Sequence, residues 1–185
     1  MKKDLSVSMV EANLYAFIAP LPFIIPFFGL YVFIWGWGNI LNVHNLHFSK
    51  FIIYSIVIIV GIILHEMIHG LSWQFFGHKR LNAIRYGIDP KTLSPYAHCQ
   101  EPMKIKPYRL GVIMPAVLLG FLPTIWGTII GNSSIFVFGL FFILAAGGDI
   151  FLLWLLRKVK AGSLVEDHPT RVGCYVISSR DSGIQ

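Results

Sequence analysis

Three ionisable side chains follow one another closely inside a long apolar segment. The chain reads His65-Glu66-Met67-Ile68-His69, and a charged group at the centre of a bilayer costs at least about 2.5 kcal/mol. Residues at i and i+4 of a helix share one face, so both imidazoles can bind the same Zn²⁺. Glu66 is rotated off that face, where its carboxylate can act as general base on a water bound to the metal. The pattern predicts zinc-dependent hydrolysis of a peptide bond.

A third ligand is needed, because a catalytic zinc site usually takes three protein ligands and keeps one position for water. Asp149 is the predicted third ligand. His65 lies fourteen residues past Phe51, and Asp149 lies fourteen past Ile135. At about 1.5 Å rise per residue, both would lie about 21 Å below the same membrane boundary. The alternative role for Asp149 is that of a hydrogen-bonding partner that orients a zinc-bound histidine.

Further metal-binding residue types occur in the polar segment Tyr96-Ala97-His98-Cys99-Gln100-Glu101. Residues 82–88 and 94–100 could pair as a short hairpin around residues 89–92, which would fold His98 or Glu101 towards the cavity. His98 is the leading substitute ligand or polarising group. The alternative is a solvated cytoplasmic loop. An exposed strand in such a hairpin could also receive an extended substrate by edge addition.

These residues must be positioned by membrane helices, because 55% of the residues are apolar and only 13% are charged. Soluble domains carry about a quarter charged residues. A bilayer core needs about 20 mainly apolar residues in a helix, which predicts an all-α membrane protein. We expect one domain over residues 1–185, with a polar insert at 77–109, a cytoplasmic tail at 157–185 and four spans at 14–37, 51–76, 110–130 and 135–156.

The net charge of +6 does not point to nucleic acid, because the basic residues lie between the apolar runs rather than on one basic face. Basic residues favour the cytoplasmic side of short loops. They precede the first span, follow the fourth and crowd the segment between the second and third. We therefore expect a multi-pass protein of the cell membrane with both termini in the cytoplasm. Asp167 and His168, in the tail, are expected to lie under the bundle rather than at the metal.

Four motifs occur in a characteristic order: His65-Glu66-Met67-Ile68-His69, Tyr96-Ala97-His98-Cys99, Gly147-Gly148-Asp149 and Asp167-His168-Pro169. In this order they resemble a family of small bacterial membrane proteins classed as zincin peptidases, formerly a domain of unknown function. The chain more distantly looks like the site-2 protease class of intramembrane metalloproteases. That resemblance implies that an aspartate of a later span completes the zinc site, a role that falls to Asp149. The chain lacks the longer Asn/Pro-containing motif of that class and a PDZ domain.

The leading hypothesis is a zinc-dependent intramembrane or membrane-proximal metallopeptidase that acts on a peptide or a membrane-protein substrate. In this hypothesis His65, His69 and Asp149 bind Zn²⁺ and Glu66 is the general base. The alternative from another class is a membrane metal-binding or transport protein without peptidase activity, in which the same residues form a transit site. A third possibility is an inactive scaffold that keeps zinc for stability, although a structural site does not require Glu66.

Overall fold

The computed structural model of the protein describes residues 2–41, 48–88, 95–168 and 171–177. Within these ranges the chain is mostly helical and also contains six short strands. The helices are α1 (Met9–Ile18), α2 (Leu21–Leu41), α3 (Phe48–Gly77), α4 (Ile105–Pro115), α5 (Leu122–Ile130), α6 (Ser133–Ala145) and α7 (Gly147–Leu156). The strands are β1 (Lys2–Val7), β2 (Ile84–Ile88), β3 (Pro95–Cys99), β4 (Met103–Lys104), β5 (Leu164–Asp167) and β6 (Val172–Ile177).

Three helical segments of the described chain are long and apolar enough to cross a membrane: Val10–Leu41, Phe51–Gly77 and Ile105–Ile130. The first begins four residues before the predicted span, because Ser8 caps the start of α1 through a capping box with Glu11. The third begins five residues before its predicted span. Its two α-helices, α4 and α5, are joined by a π-helical stretch at Ala116–Phe121, directly after Pro115.

The predicted fourth span is bent rather than straight. Helices α6 and α7 meet at an angle of 46° across Ala146. The small residues around this point suit either a close helix contact or a kink. The kink is what forms, and Gly147 packs against α1, where an added Cβ would lie 1.8 Å from the carbonyl oxygen of Ala16. If the bent pair crosses as one span, the helices of the described residues make up to four spans.

The chain is mostly helical, as predicted, but it is not all-α, because strands β1, β4, β5 and β6 form a small antiparallel sheet. Its strand order is β1-β6-β5-β4, with Lys2 opposite Ile177 and Met103 opposite Val165. Residues 164–167 and 172–177, predicted as a tail, are therefore ordered strands. The pairing joins segments about 170 residues apart in sequence, so no local pattern indicates it.

The predicted hairpin between the second and third spans is present in the described residues. Strand β2 pairs antiparallel with β3, and Arg85 lies opposite His98. The predicted turn at residues 89–92 lies outside the described residues. A buried core joins this hairpin to α3, α4, α7 and the larger sheet. Its members, all at most 9% exposed, include Trp73, Cys99, Ile105, Tyr108 and Val165.

Candidate metal centre

The side chains of His65, His69 and Asp149 meet inside the helical bundle. The distance from His65 Nε2 to Asp149 Oδ2 is 3.0 Å, and the distance from His69 Nε2 to Asp149 Oδ1 is 3.4 Å. One ligand-type atom from each residue lies within 4.8 Å of the other two. Among the described residues this is the one such group of three or more His, Cys, Asp or Glu side chains.

Helix α3 supplies both histidines from its buried face. His65 is 7% and His69 5% exposed, whereas Met67, on the opposite side of the helix, is 44% exposed. The two imidazole rings lie 5.0 Å apart and nearly perpendicular. A spacing of four residues therefore places two ring nitrogens on the bundle side of a helix whose other side is apolar, as the sequence predicts.

The bend at Ala146 delivers the carboxylate. Asp149 lies in the first turn of α7, where unpaired backbone amides make the helix end favourable for a negative charge. A fourth span that continued straight through residue 146 would not begin a new helix at this depth. The bend between α6 and α7 thus directs the Asp149 side chain and places its carboxylate at the favourable end of the helix dipole.

His69 is held in one orientation by α4. Its Nδ1–H donates to the carbonyl oxygen of Gly111 at 2.9 Å, and its ring stacks on Trp73, which in turn stacks on Tyr108. Because a carbonyl only accepts, Nδ1 carries a proton, and Nε2 is the ring nitrogen that faces Asp149. An added Cβ at Gly111 would lie 2.1 Å from the Trp73 indole, so glycine at this position permits the packing.

His65 has less support from its surroundings. Its ring lies 6.5 Å from the ring of Phe142, and its Nδ1 is buried without a hydrogen-bond partner in the described part of the chain. The contact of Nε2 with Asp149 is therefore the polar interaction that orients this ring.

Glu66 lies beside the cluster on α3 and is partly buried. Its carboxylate accepts a hydrogen bond from the backbone amide of Ala97 in β3. The predicted general base thus faces the hairpin rather than lipid. Close by, Gly70 leaves room for the hydroxyl of Tyr86 from β2, since an added Cβ would lie 1.9 Å from that oxygen.

The substitute ligands proposed from the sequence lie outside the three-residue cluster. His98 packs against Tyr96 with ring centroids 4.8 Å apart. Glu101 forms an ion pair with Lys79, at 3.0 Å, and its side chain is 52% exposed. The structure therefore brings His65, His69 and Asp149 together without His98 or Glu101.

Asp167 makes two hydrogen bonds that its position in the sequence does not predict. Its carboxylate accepts hydrogen bonds from the Tyr108 hydroxyl and from the Cys99 amide, the latter at 2.9 Å. Burial raises the pKa of Asp167, and these two hydrogen bonds oppose that shift. His168 directly follows β5, and its ring contacts the hydroxyl of Tyr175 in β6. The sequence shows only an acidic residue in a predicted tail, because the partners of Asp167, Cys99 and Tyr108, lie on other elements.

The donor set fits a zinc ion on two grounds. Zn–N and Zn–O bonds of about 2.0–2.2 Å separate neighbouring ligand atoms of a tetrahedral site by about 3.3–3.5 Å. The contact of His69 with Asp149, at 3.4 Å, lies in this range, and that of His65, at 3.0 Å, is a hydrogen-bond distance slightly below it. The hydrogen bond from His69 Nδ1 to Gly111 also leaves Nε2 as the ring nitrogen that an ion would use. Two imidazoles and one carboxylate leave a fourth position open, as in catalytic zinc sites.

Fold and site together define a class: helical proteins with membrane-length segments and an internal cluster of two histidines and one carboxylate. The match to known families narrows this class. Residues 58–164, more than half of the chain, match the family described as "Putative zincin peptidase", and the protein belongs to that family. No curated protein and no solved structure matches the chain. The matched residues include the whole cluster and end before Asp167.

Proposed function

We propose that the protein is a zinc metallopeptidase that hydrolyses peptide bonds within the membrane or close to its surface. The observation that carries the proposal is the meeting of His65, His69 and Asp149 from two helices, with ligand-type atoms within 4.8 Å of one another, beside Glu66. Membership of the zincin peptidase family supports a metallopeptidase. His65, His69 and Asp149 would hold the ion.

The chain's own residues divide the work of such a reaction. Bound zinc supplies a Lewis acid that lowers the pKa of a coordinated water towards about 7 and polarises the substrate carbonyl. Glu66 takes the proton of the attacking water and later returns it to the leaving amine. Gly111 holds the His69 ring in the tautomer that can bind a cation. His65 and His69 are 7% and 5% exposed, so they present little surface to solvent.

The central test compares four purified variants for zinc content and for cleavage of fluorescently labelled casein in detergent. Glu66→Gln should retain stoichiometric zinc and lose cleavage, by a factor of at least about 10² as expected for removal of a general base. His65→Ala and Asp149→Ala should lose both. Glu101→Gln is the matched control, since it removes an acidic charge from a surface ion pair, and it should behave as the wild type.

Three outcomes would contradict the proposal. A Glu66→Gln protein as active as the wild type would remove the mechanism. Zinc retained by Asp149→Ala but lost by a His98→Ala variant would move the third ligand to the loop. Metal uptake into vesicles without cleavage would favour the transport alternative.

Sheet pairing supports an even number of membrane crossings. Strand β1 precedes the first helix and β6 follows the last, yet the two are paired along Lys2–Val7. Strand β4, between the second and third membrane-length segments, joins the same sheet through β5. Paired strands must lie on one side of a bilayer, so α6 and α7 would cross together as the fourth span. From the basic residues near this sheet we propose that the sheet lies in the cytoplasm with both termini.

We also propose that an extended peptide docks on β2. In the described residues β2 has β3 on one edge and no strand on the other, and Ile88 is 66% exposed. A free strand edge can add a substrate strand, which presents the peptide bond unfolded. Ile88→Pro removes one amide on that outer edge and should raise KM for casein in the same assay, whereas Ile88→Thr should not. Equal KM values for the two variants would exclude this edge.

A further inference from the structure

The two strands of the hairpin determine where the amides of β3 point. Gln100 donates to the carbonyl oxygen of Ala83 at 2.8 Å at the base of the hairpin, and in an antiparallel pair such ladder bonds recur at every second residue. The amides of Cys99 and Ala97 therefore point away from β2. Pro95 occupies the next outward position, where no amide hydrogen is needed.

The two amides of β3 that point away from β2 donate hydrogen bonds to carboxylates from other parts of the chain. The Cys99 amide donates to Asp167 at 2.9 Å, and the Ala97 amide donates to Glu66. The two amides are two residues apart on one strand edge. A shift of β3 along or away from this edge would therefore break both hydrogen bonds together.

Asp167 is itself anchored to the metal-binding helix. Its second carboxylate oxygen accepts the hydroxyl of Tyr108, and the carbonyl oxygen of Tyr108 accepts the indole N–H of Trp73 at 3.2 Å. Trp73 lies one turn after His69 on α3, and the two rings stack. The partly buried carboxylate thus connects β5, β3, α4 and α3 in one hydrogen-bonded network.

We propose that Asp167 is a positioning residue for Glu66: it holds the Cys99 amide, and through it β3, so that the Ala97 amide meets the Glu66 carboxylate. The proposal rests on the proposed function only for the role of Glu66. It extends the site to Asp167, which lies beyond residues 58–164, the part of the chain that matches the family.

The arrangement has a chemical purpose. A general base works only when its carboxylate lies within hydrogen-bond reach of the proton that it removes, and an unheld glutamate has several rotamers. The Ala97 amide selects one of them. No backbone hydrogen bond joins α3 to β3 in the described residues, so the network through Asp167 adds polar contacts to their packing.

The test uses full-length protein in detergent and backbone amide exchange resolved to single residues by NMR. In Asp167→Asn, exchange at Cys99 and at Ala97 should become about tenfold faster, as expected when a charge-assisted hydrogen bond is weakened. The matched control is Glu166→Gln in the same strand, whose carboxylate pairs with Lys2 at the surface, at 2.6 Å. It should leave both amides unchanged.

A second variant guards against misfolding. Tyr108→Phe retains the stacked ring and removes one of the two donors to Asp167, so it should accelerate exchange at the same two amides by a smaller factor. Faster exchange at Cys99 alone would show that Asp167 does not act on the Ala97 amide, and the proposal would be wrong. Unchanged exchange at both amides in Asp167→Asn would also overturn it, as would loss of zinc, which would place its effect on the metal cluster.

Casein cleavage adds the functional readout. Asp167→Asn should lower kcat at unchanged KM and full zinc content, and Ala97→Pro, which deletes the amide but no ladder bond, should do the same. A decrease confined to zinc content or thermal stability would indicate a merely structural role and would refute positioning. If wild-type protein cleaves nothing, the proposed function fails, while the exchange measurements still decide whether Asp167 holds β3 against Glu66.

Discussion

Replacement of Gly111 by alanine tests how strictly α4 supports the metal centre. The added Cβ would lie 2.1 Å from the indole of Trp73, and non-bonded carbon atoms settle at about 3.5 Å or more. The indole must therefore move by more than about 1 Å. Its ring lies between His69 and Tyr108 in a stack, so it cannot move without displacing one of them.

The magnitude follows from two contributions. Overpacking of a filled core costs about 1–3 kcal/mol. Movement of the indole also breaks its hydrogen bond to the Tyr108 carbonyl, 3.2 Å long, which adds about 1 kcal/mol. Displacement of His69 from the Gly111 carbonyl should weaken zinc binding by about 10- to 100-fold, the usual effect of losing a partner behind a metal ligand.

The assay combines thermal unfolding in detergent with zinc retention against a competing chelator. Gly111→Ala should unfold at lower temperature and lose zinc at lower chelator concentration. The control is Gly29→Ala in α2, where an added Cβ meets nothing within 4 Å, and neither quantity should fall. A Gly111→Ala protein that binds zinc as tightly as the control would refute the role assigned to the contact between His69 and α4.

Two further predictions concern groups away from the candidate metal centre. Burial raises the pKa of Cys174 to about 12, so its thiol stays protonated at neutral pH and forms the reactive thiolate only as the pH approaches that value. Native protein should therefore resist N-ethylmaleimide at pH 8, whereas unfolded protein should react. Rapid labelling of the native protein would contradict the packing around Cys174. Arg109 donates to the carbonyl oxygens of Leu156 and Val159 at the end of α7. Arg109→Gln should therefore lower the free energy of unfolding by about 1.5–3 kcal/mol, measured by thermal unfolding. An unchanged unfolding temperature would exclude this cap of α7.

The cluster of His65, His69 and Asp149 could be predicted because its geometry depends on few variables. Two histidines four residues apart share a helix face whatever the rest of the fold is. The depth of Asp149 follows from counting residues along helices of known rise. In the structure Nε2 of His65 lies 3.0 Å and Nε2 of His69 lies 3.4 Å from the carboxylate oxygens of Asp149. The hairpin was also predictable, because its strands are neighbours in sequence.

The larger sheet and the role of Asp167 could not be predicted in the same way. Lys2 pairs with Ile177, and a pairing over this separation leaves no periodic pattern in either segment. Asp167 acts through Tyr108 and Cys99, which belong to a helix and a hairpin whose relative positions depend on tertiary packing. The bend at Ala146 was visible only as a run of small residues, which suits a close helix contact as well as a kink.

X-ray absorption at the zinc edge tests the central claim most directly, because it reports the ligands of the ion in the purified protein. We expect one zinc per chain, bound by nitrogen and oxygen at about 2.0–2.2 Å with the multiple-scattering signature of two imidazoles, and loss of that signature in His65→Ala. Absence of zinc from the protein, or sulfur ligands at about 2.3 Å, would contradict a site formed by His65, His69 and Asp149.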